Sequence, residues 1–237
     1  MKNIKKWLNM NNLMKFIFFS FIASVIFVVV RIILAPTIAP ASDIAVRVKS
    51  DYVLMLAQSI LGIVAMMFPG FLKRRANLNI PTSMLIVYVI FIYCAIYLGE
   101  VRNFYYRIPH WDTILHTFSG AAIGALGFSV VSLLNKLEKI TFTLSPLFVA
   151  LFAFCFAVTL GVIWEIYEFA MDYLLKTNMQ KYALETGELL IGQTALKDTM
   201  KDLIVDATGA FVMSVIGYIS LKHNKGWLER IEVKRLK

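Results

Sequence analysis

The chain has 237 residues, 59% of them hydrophobic and only 16% charged, with a formal net charge of +9. A soluble core of this size could not bury so much apolar surface without leaving large adhesive patches, so the composition selects an integral membrane protein. The basic residues flank apolar runs and form no aromatic-interleaved patch, which argues against nucleic acid as a partner and makes them topology signals in a lipid bilayer.

Runs of about 20 apolar residues can cross the hydrocarbon core as helices. Six are found in chain order, over 13–35, 52–72, 82–98, 112–134, 144–170 and 199–221. The fold class this predicts is all-α, a polytopic membrane protein of six transmembrane helices in a single membrane domain covering 1–237. Placing both termini in the cytoplasm puts fifteen Lys and Arg on the inner side, among them Lys73, Arg74, Arg75, Lys136 and Lys222, against eight outside. It also leaves 173–198 as a long external loop. The tripeptide Ala39-Pro40-Ala41 has the small-x-small form of a signal cleavage site, but the preceding apolar run is too long for a signal core, and Arg31 and Pro36 separate the two. Cys94 and Cys155 each sit within an apolar run, where a disulfide framework is not expected.

Ionisable residues cost about 2.5 to 3.5 kcal/mol at the centre of a membrane helix, so those that persist face the bundle interior and mark function. In the fourth span Asp112 and His116 are four apart and share a helix face. In the fifth, Glu165, Glu168 and Asp172 follow a three-then-four spacing, and in the sixth Asp198, Asp202 and Asp206 repeat every four. With the cytoplasmic-termini topology all three polar faces fall in the outer half of the membrane, His116 about 6 Å below Asp112 at 1.5 Å per residue. Gly120, Gly124, Gly161, Ala210 and Gly217 extend the same faces, and small residues let helices approach closely. The expectation is an outward-facing acidic pocket among the fourth, fifth and sixth helices.

Seven carboxylates and one imidazole cannot all remain charged and uncompensated in a low dielectric. Protonation, pairing with Arg102, Arg107, Lys197 or Lys201, or a divalent metal ion such as Mn²⁺, Zn²⁺, Fe²⁺ or Mg²⁺ would compensate them. The metal-ligand candidates are Asp112, His116, Glu165, Glu168, Asp172, Asp198, Asp202 and Asp206. His116, Glu165, Asp202 and Asp206 are the candidates for catalysis, whereas Asp112, Asp172 and Asp198 stand at helix ends, where an acid also serves simply to mark the interface. Trp111, Tyr105, Tyr106 and Trp164 are read as interfacial anchors.

Three segments resemble a group of bacterial membrane proteins: Trp111 to Gly120, Trp164-Glu165-Ile166-Tyr167-Glu168-Phe169, and Asp198-Thr199-Met200-Lys201-Asp202-Leu203 running on to Gly209-Ala210. Together they look like the YjdF family of inner-membrane proteins, distantly similar to the VanZ family named for teicoplanin resistance. The sequence departs from that pattern with Thr117, where an aromatic often follows the histidine, and Lys197, where a tryptophan commonly precedes the Asp-Thr pair. The resemblance covers residues 80–221 and implies a place in the bacterial cytoplasmic membrane without choosing a reaction. Two readings remain. One is a metal-dependent enzyme acting on an envelope lipid or lipid-linked ligand; the other is a non-catalytic transporter, proton- or cation-binding or accessory protein with a structural polar network.

Overall fold

The computed structural model describes residues 10–37, 47–136, 144–184, 186–223, 226 and 231–235. Ala39-Pro40-Ala41, the basic residues before Met10, and Lys139 lie outside the described residues. The elements are α1 (Met10–Leu34), α2 (Lys49–Arg75), β1 (Leu78–Asn79), α3 (Thr82–Ile92), α4 (Phe104–Arg107), α5 (Trp111–Lys136), α6 (Pro146–Leu175), α7 (Gln193–Lys222) and β2 (Lys234–Arg235). The helix α3 runs without a break into a π-helical stretch, Tyr93–Val101. Among the described residues six helices are long and apolar enough to cross a membrane: α1, α2, α3 with its π extension, α5, α6 and α7. The chain is thus an all-helical polytopic membrane protein, and residues such as Ile33, Leu34, Met67, Phe71 and Leu147 turn their side chains outward, as lipid as solvent requires.

The helix ends follow local chemistry and outrun the apolar cores. In α2, Asp51 reaches back to accept from the Val48 N–H at 2.8 Å, and in α6 the Ser145 hydroxyl accepts from the Phe148 N–H at 3.2 Å ahead of Pro146. Pro69 lies inside α2 and lacks the N–H that the Ala65 carbonyl would have received; the Tyr88 hydroxyl donates to that carbonyl at 2.9 Å. The sixth apolar run starts at residue 199, yet α7 begins at Gln193, directly after Gly192 with its left-handed φ of +63°. Likewise α6 continues past residue 170 to Leu175. The connection expected over 173–198 is therefore shortened at both ends.

The helices gather into two compact units. The first holds residues 1–68, 86–111 and 167–198. Its core is built from Ile17, Phe21, Met66, Val89, Ile92 and Ile96, with a second cluster of Val28, Ala35, Tyr52 and Met55. Arg31, near the end of the first span, donates from Nε to the Tyr52 hydroxyl at 3.0 Å. The α6–α7 connection is tied by Asp172, whose carboxylate accepts from Thr177 Oγ1 at 2.7 Å and from the N–H groups of Met179 and Gln180 at 2.7 and 2.9 Å. It is also tied by an ion pair of 3.1 Å between Lys181 and Asp198.

The second unit holds residues 69–85, 112–166 and 199–237. Phe128, Val131, Val149, Ala150 and Ala153 form its apolar core. Glycines set how closely its helices approach. A Cβ on Gly120 would strike the Asp206 carbonyl, one on Gly209 the Thr117 carbonyl, and one on Gly127 would sit 2.8 Å from Ala153 Cα. In each case the obstacle is backbone, so α5 meets α7 and α6 at main-chain contact.

Candidate functional site

The close crossing of α5 and α7 decides which side chains meet. Asp112 and His116 stack on one face of α5, and Asp202 and Asp206 on one face of α7, because each pair is four residues apart. With Gly120 against the main chain of Asp206 and Gly209 against that of Thr117, those faces are pressed together. Asp202 and Asp206 are only 2% and 4% exposed, and His116 and Glu165 are buried as well. On α6, Gly161 precedes Glu165 by one turn, and a Cβ there would lie 3.0 Å from Asp206 Oδ2. The missing side chain leaves room for the carboxylate.

His116 is at the centre. Its Nδ1 stands 3.1 Å from Asp206 Oδ2. Its Nε2 stands 3.6 Å from Asp112 Oδ1 and 4.0 Å from Asp202 Oδ2. A carboxylate that is ionised only accepts, so with Asp206 in that form the contact is made by a proton on Nδ1. Ser119 Oγ lies 2.8 Å from both Asp206 Oδ1 and the His116 carbonyl, so its single proton serves one or the other. The Nε2 position therefore looks towards two carboxylates. A bare lone pair there would face two negative charges, whereas a proton or a metal cation on Nε2 would be attracted by both. One ligand atom from each of Asp112, His116 and Asp202 lies within 4.8 Å of the other two, and His116 and Glu165 offer atoms equally near each other. Ligands at about 2.1 Å from a common ion are separated by distances of this order after small side-chain adjustments.

The structure thus brings together Asp112, His116, Glu165, Asp202 and Asp206. Glu168 is buried one turn beyond Glu165 on α6, within the other unit. Asp172 and Asp198 hold the α6–α7 connection, through Thr177, Met179, Gln180 and Lys181 as described above. Ser119 was not singled out by spacing. The available signal was its position three residues after His116, which turns its hydroxyl towards the same partner helix. Trp111, read as an interfacial anchor, donates its indole N–H to the Cys94 carbonyl at 3.3 Å and packs edge-on against Phe104.

Residues 21–223 match the family described as "Predicted membrane protein (DUF2238)", and the chain belongs to it. A relative from Thermotoga maritima, described as an uncharacterized protein, is 34% identical over 122 residues, 51% of this chain. The matched segment spans 54% of that relative's length. No solved structure matches.

Proposed function

We propose that this member of the family is a membrane-embedded, divalent-cation-dependent enzyme of the bacterial cytoplasmic membrane, acting on an envelope lipid or a lipid-linked ligand. One observation carries the reading: His116 turns Nδ1 to a carboxylate that fixes its orientation and turns Nε2 between two others. Metal-bound histidines are held in this way, the far nitrogen donating to a carboxylate that fixes tautomer and raises basicity. Asp112, His116 and Asp202 are assigned as ligands, Asp206 and Ser119 as the groups that orient His116. Glu165 supplies either a further ligand or the base that removes a proton from a bound water. One imidazole among carboxylates suits Mn²⁺, Fe²⁺, Zn²⁺ or Mg²⁺. The bound ion would act as a Lewis acid and lower the pKa of water, while burial on three helices keeps bulk water from competing.

Substrate and location rest on topology and resemblance. The fifteen-to-eight division of Lys and Arg supports cytoplasmic termini, and with them an outward-opening site at the envelope face. The motifs Asp112-x-x-x-His116, Glu165-x-x-Glu168 and Asp198-Thr199-x-x-Asp202 look like those of the YjdF group and, more distantly, the VanZ group, which makes envelope lipids the natural substrate class.

The test is elemental analysis of the protein purified in detergent and dialysed mildly, beside the Asp202→Asn and His116→Ala variants. About one equivalent of a transition metal in the parent, lost in both variants at normal yield, is the expected result. A parent that retains no metal, and shows no saturable binding of added Mn²⁺ or Zn²⁺, would overturn the enzyme reading in favour of a structural polar network.

A further inference from the structure

The chain ends on a segment that none of the site chemistry uses. Glu232 and Val233 are buried, 4% and 7% exposed. Ser132 of α5 donates its hydroxyl to Glu232 Oε1, and one turn earlier Ser129 Oγ accepts from the Val233 N–H at 2.7 Å. Directly afterwards β2 pairs antiparallel with β1, Leu78 opposite Arg235 and Asn79 opposite Lys234. The segment is therefore clamped twice, by two serines of α5 and by the connection that follows α2. Beside the clamp lies a cavity of about 340 Å³, walled by Phe128, Val131, Val149 and Leu221 and closed on one side by Ser132 and Glu232. Its volume falls at the lower end of the range of small-molecule sites.

The ties seen among the described residues are local. A two-residue ladder is marginal by itself, and a buried carboxylate stays only while hydroxyl or similar donors satisfy it. An element tied in this way can open locally without unfolding the helices it rests on. We propose that residues 231–235 form a latch, held by Glu232 on Ser132 and by Val233 on Ser129, whose release opens the adjoining cavity. The latch does not depend on the metal centre, since it shares no residue with it.

The experiment uses the full chain without Cys94 and Cys155, carrying a reporter thiol as Val149→Cys on the cavity wall. Labelling of that thiol by a small maleimide in detergent is timed. Glu232→Ala or Ser132→Ala should speed labelling about tenfold or more, the loss expected on removing a charge-assisted hydrogen bond, with Glu232→Gln in between because its amide oxygen still accepts. In a second form, which keeps Val149, Leu78→Cys and Arg235→Cys, opposite each other in the ladder, are bridged by a short bis-maleimide before the backbone amides around residue 149 are assayed for protection from hydrogen exchange. Bridging should slow exchange around residue 149 relative to the unbridged chain. Equal labelling in the parent and all three variants, or exchange indifferent to the bridge, would make the segment a fixed part of the wall and overturn the latch. If Glu232→Ala proves unstable, Ser132→Ala and Glu232→Gln decide the same question.

Discussion

Alanine at Gly120 or Gly209 tests whether the site is assembled by main-chain contact between α5 and α7. A new Cβ at Gly120 meets the Asp206 carbonyl, and one at Gly209 meets the Thr117 carbonyl, both closer than any methyl group tolerates. The obstacle is backbone on a helix, so no rotamer change relieves it and the helices must separate. Overpacking of this kind costs about 1–3 kcal/mol, against which alanine returns up to about 1 kcal/mol of helix propensity. Two other glycines calibrate the measurement. A Cβ at Gly124 would lie 3.4 Å from Met213 Cβ, and one at Gly70 would have nothing within 4 Å. Gly70→Ala should therefore be neutral to stabilising, Gly124→Ala close to neutral, and Gly120→Ala and Gly209→Ala clearly destabilising when unfolding is followed in mixed detergent micelles. Separating the helices also moves Asp206 away from His116, so the last two should weaken cation binding even where the protein remains folded. If all four variants unfold alike and bind the cation alike, glycine-mediated contact does not build the site.

Three further outcomes are expected. Asp202→Asn and Glu165→Gln keep side-chain shape but remove charge, so both should insert at normal abundance and fail to restore whatever phenotype a deletion strain shows; full complementation by both would end the case for chemistry here. Asp206→Asn should weaken cation affinity by about 10- to 100-fold, as loss of an orienting partner does, and Ser119→Ala by less, titrated with Mn²⁺ or Zn²⁺ on purified protein; an Asp206→Asn affinity equal to the parent's would remove Asp206 from its assigned role. For the topology, single thiols at exposed Ala76 and Glu188, in a chain lacking Cys94 and Cys155, are treated with an impermeant reagent on intact cells. Labelling of position 188 and protection of position 76 is the expected pattern, and the reverse would invert the orientation.

The transmembrane helices were legible because hydropathy reports a thermodynamic requirement, the crossing of a hydrocarbon layer, that few other segments satisfy. Their ends were less so, because a helix stops where its last N–H and C=O groups find partners, and those lie outside the apolar run. Asp172 shows the difference. By spacing it continues the face of Glu165 and Glu168, but at the end of α6 it meets the N–H groups of Met179 and Gln180, whose donors occupy its oxygens. Asp198 belongs to the same stripe as Asp202 and Asp206, yet it faces Lys181, seventeen residues earlier in the chain, a partner no helical period could indicate. Nor did any pattern foretell the π-helical turn at Tyr93–Val101, where the residues read as an ordinary apolar helix.

Within the cluster, spacing identified the face but could not divide the labour. Asp202 and Asp206 are equivalent by period, and both were candidate ligands. Their distinction comes from the depth at which α5 crosses α7, set by Gly120 and Gly209, which puts Asp206 beside Nδ1 and Asp202 on the side of Nε2. The imidazole then turns that positional difference into a chemical one. A ring that donates from one nitrogen presents a basic nitrogen at the other, so in the proposed function the carboxylate on the donor side would orient and those on the opposite side would share a cation held at Nε2. Moving the crossing by one turn would pair His116 with a different residue of the stripe and exchange these roles with no change in any ionisable residue. The glycines are therefore as much a part of the site's chemistry as the acids they bring together.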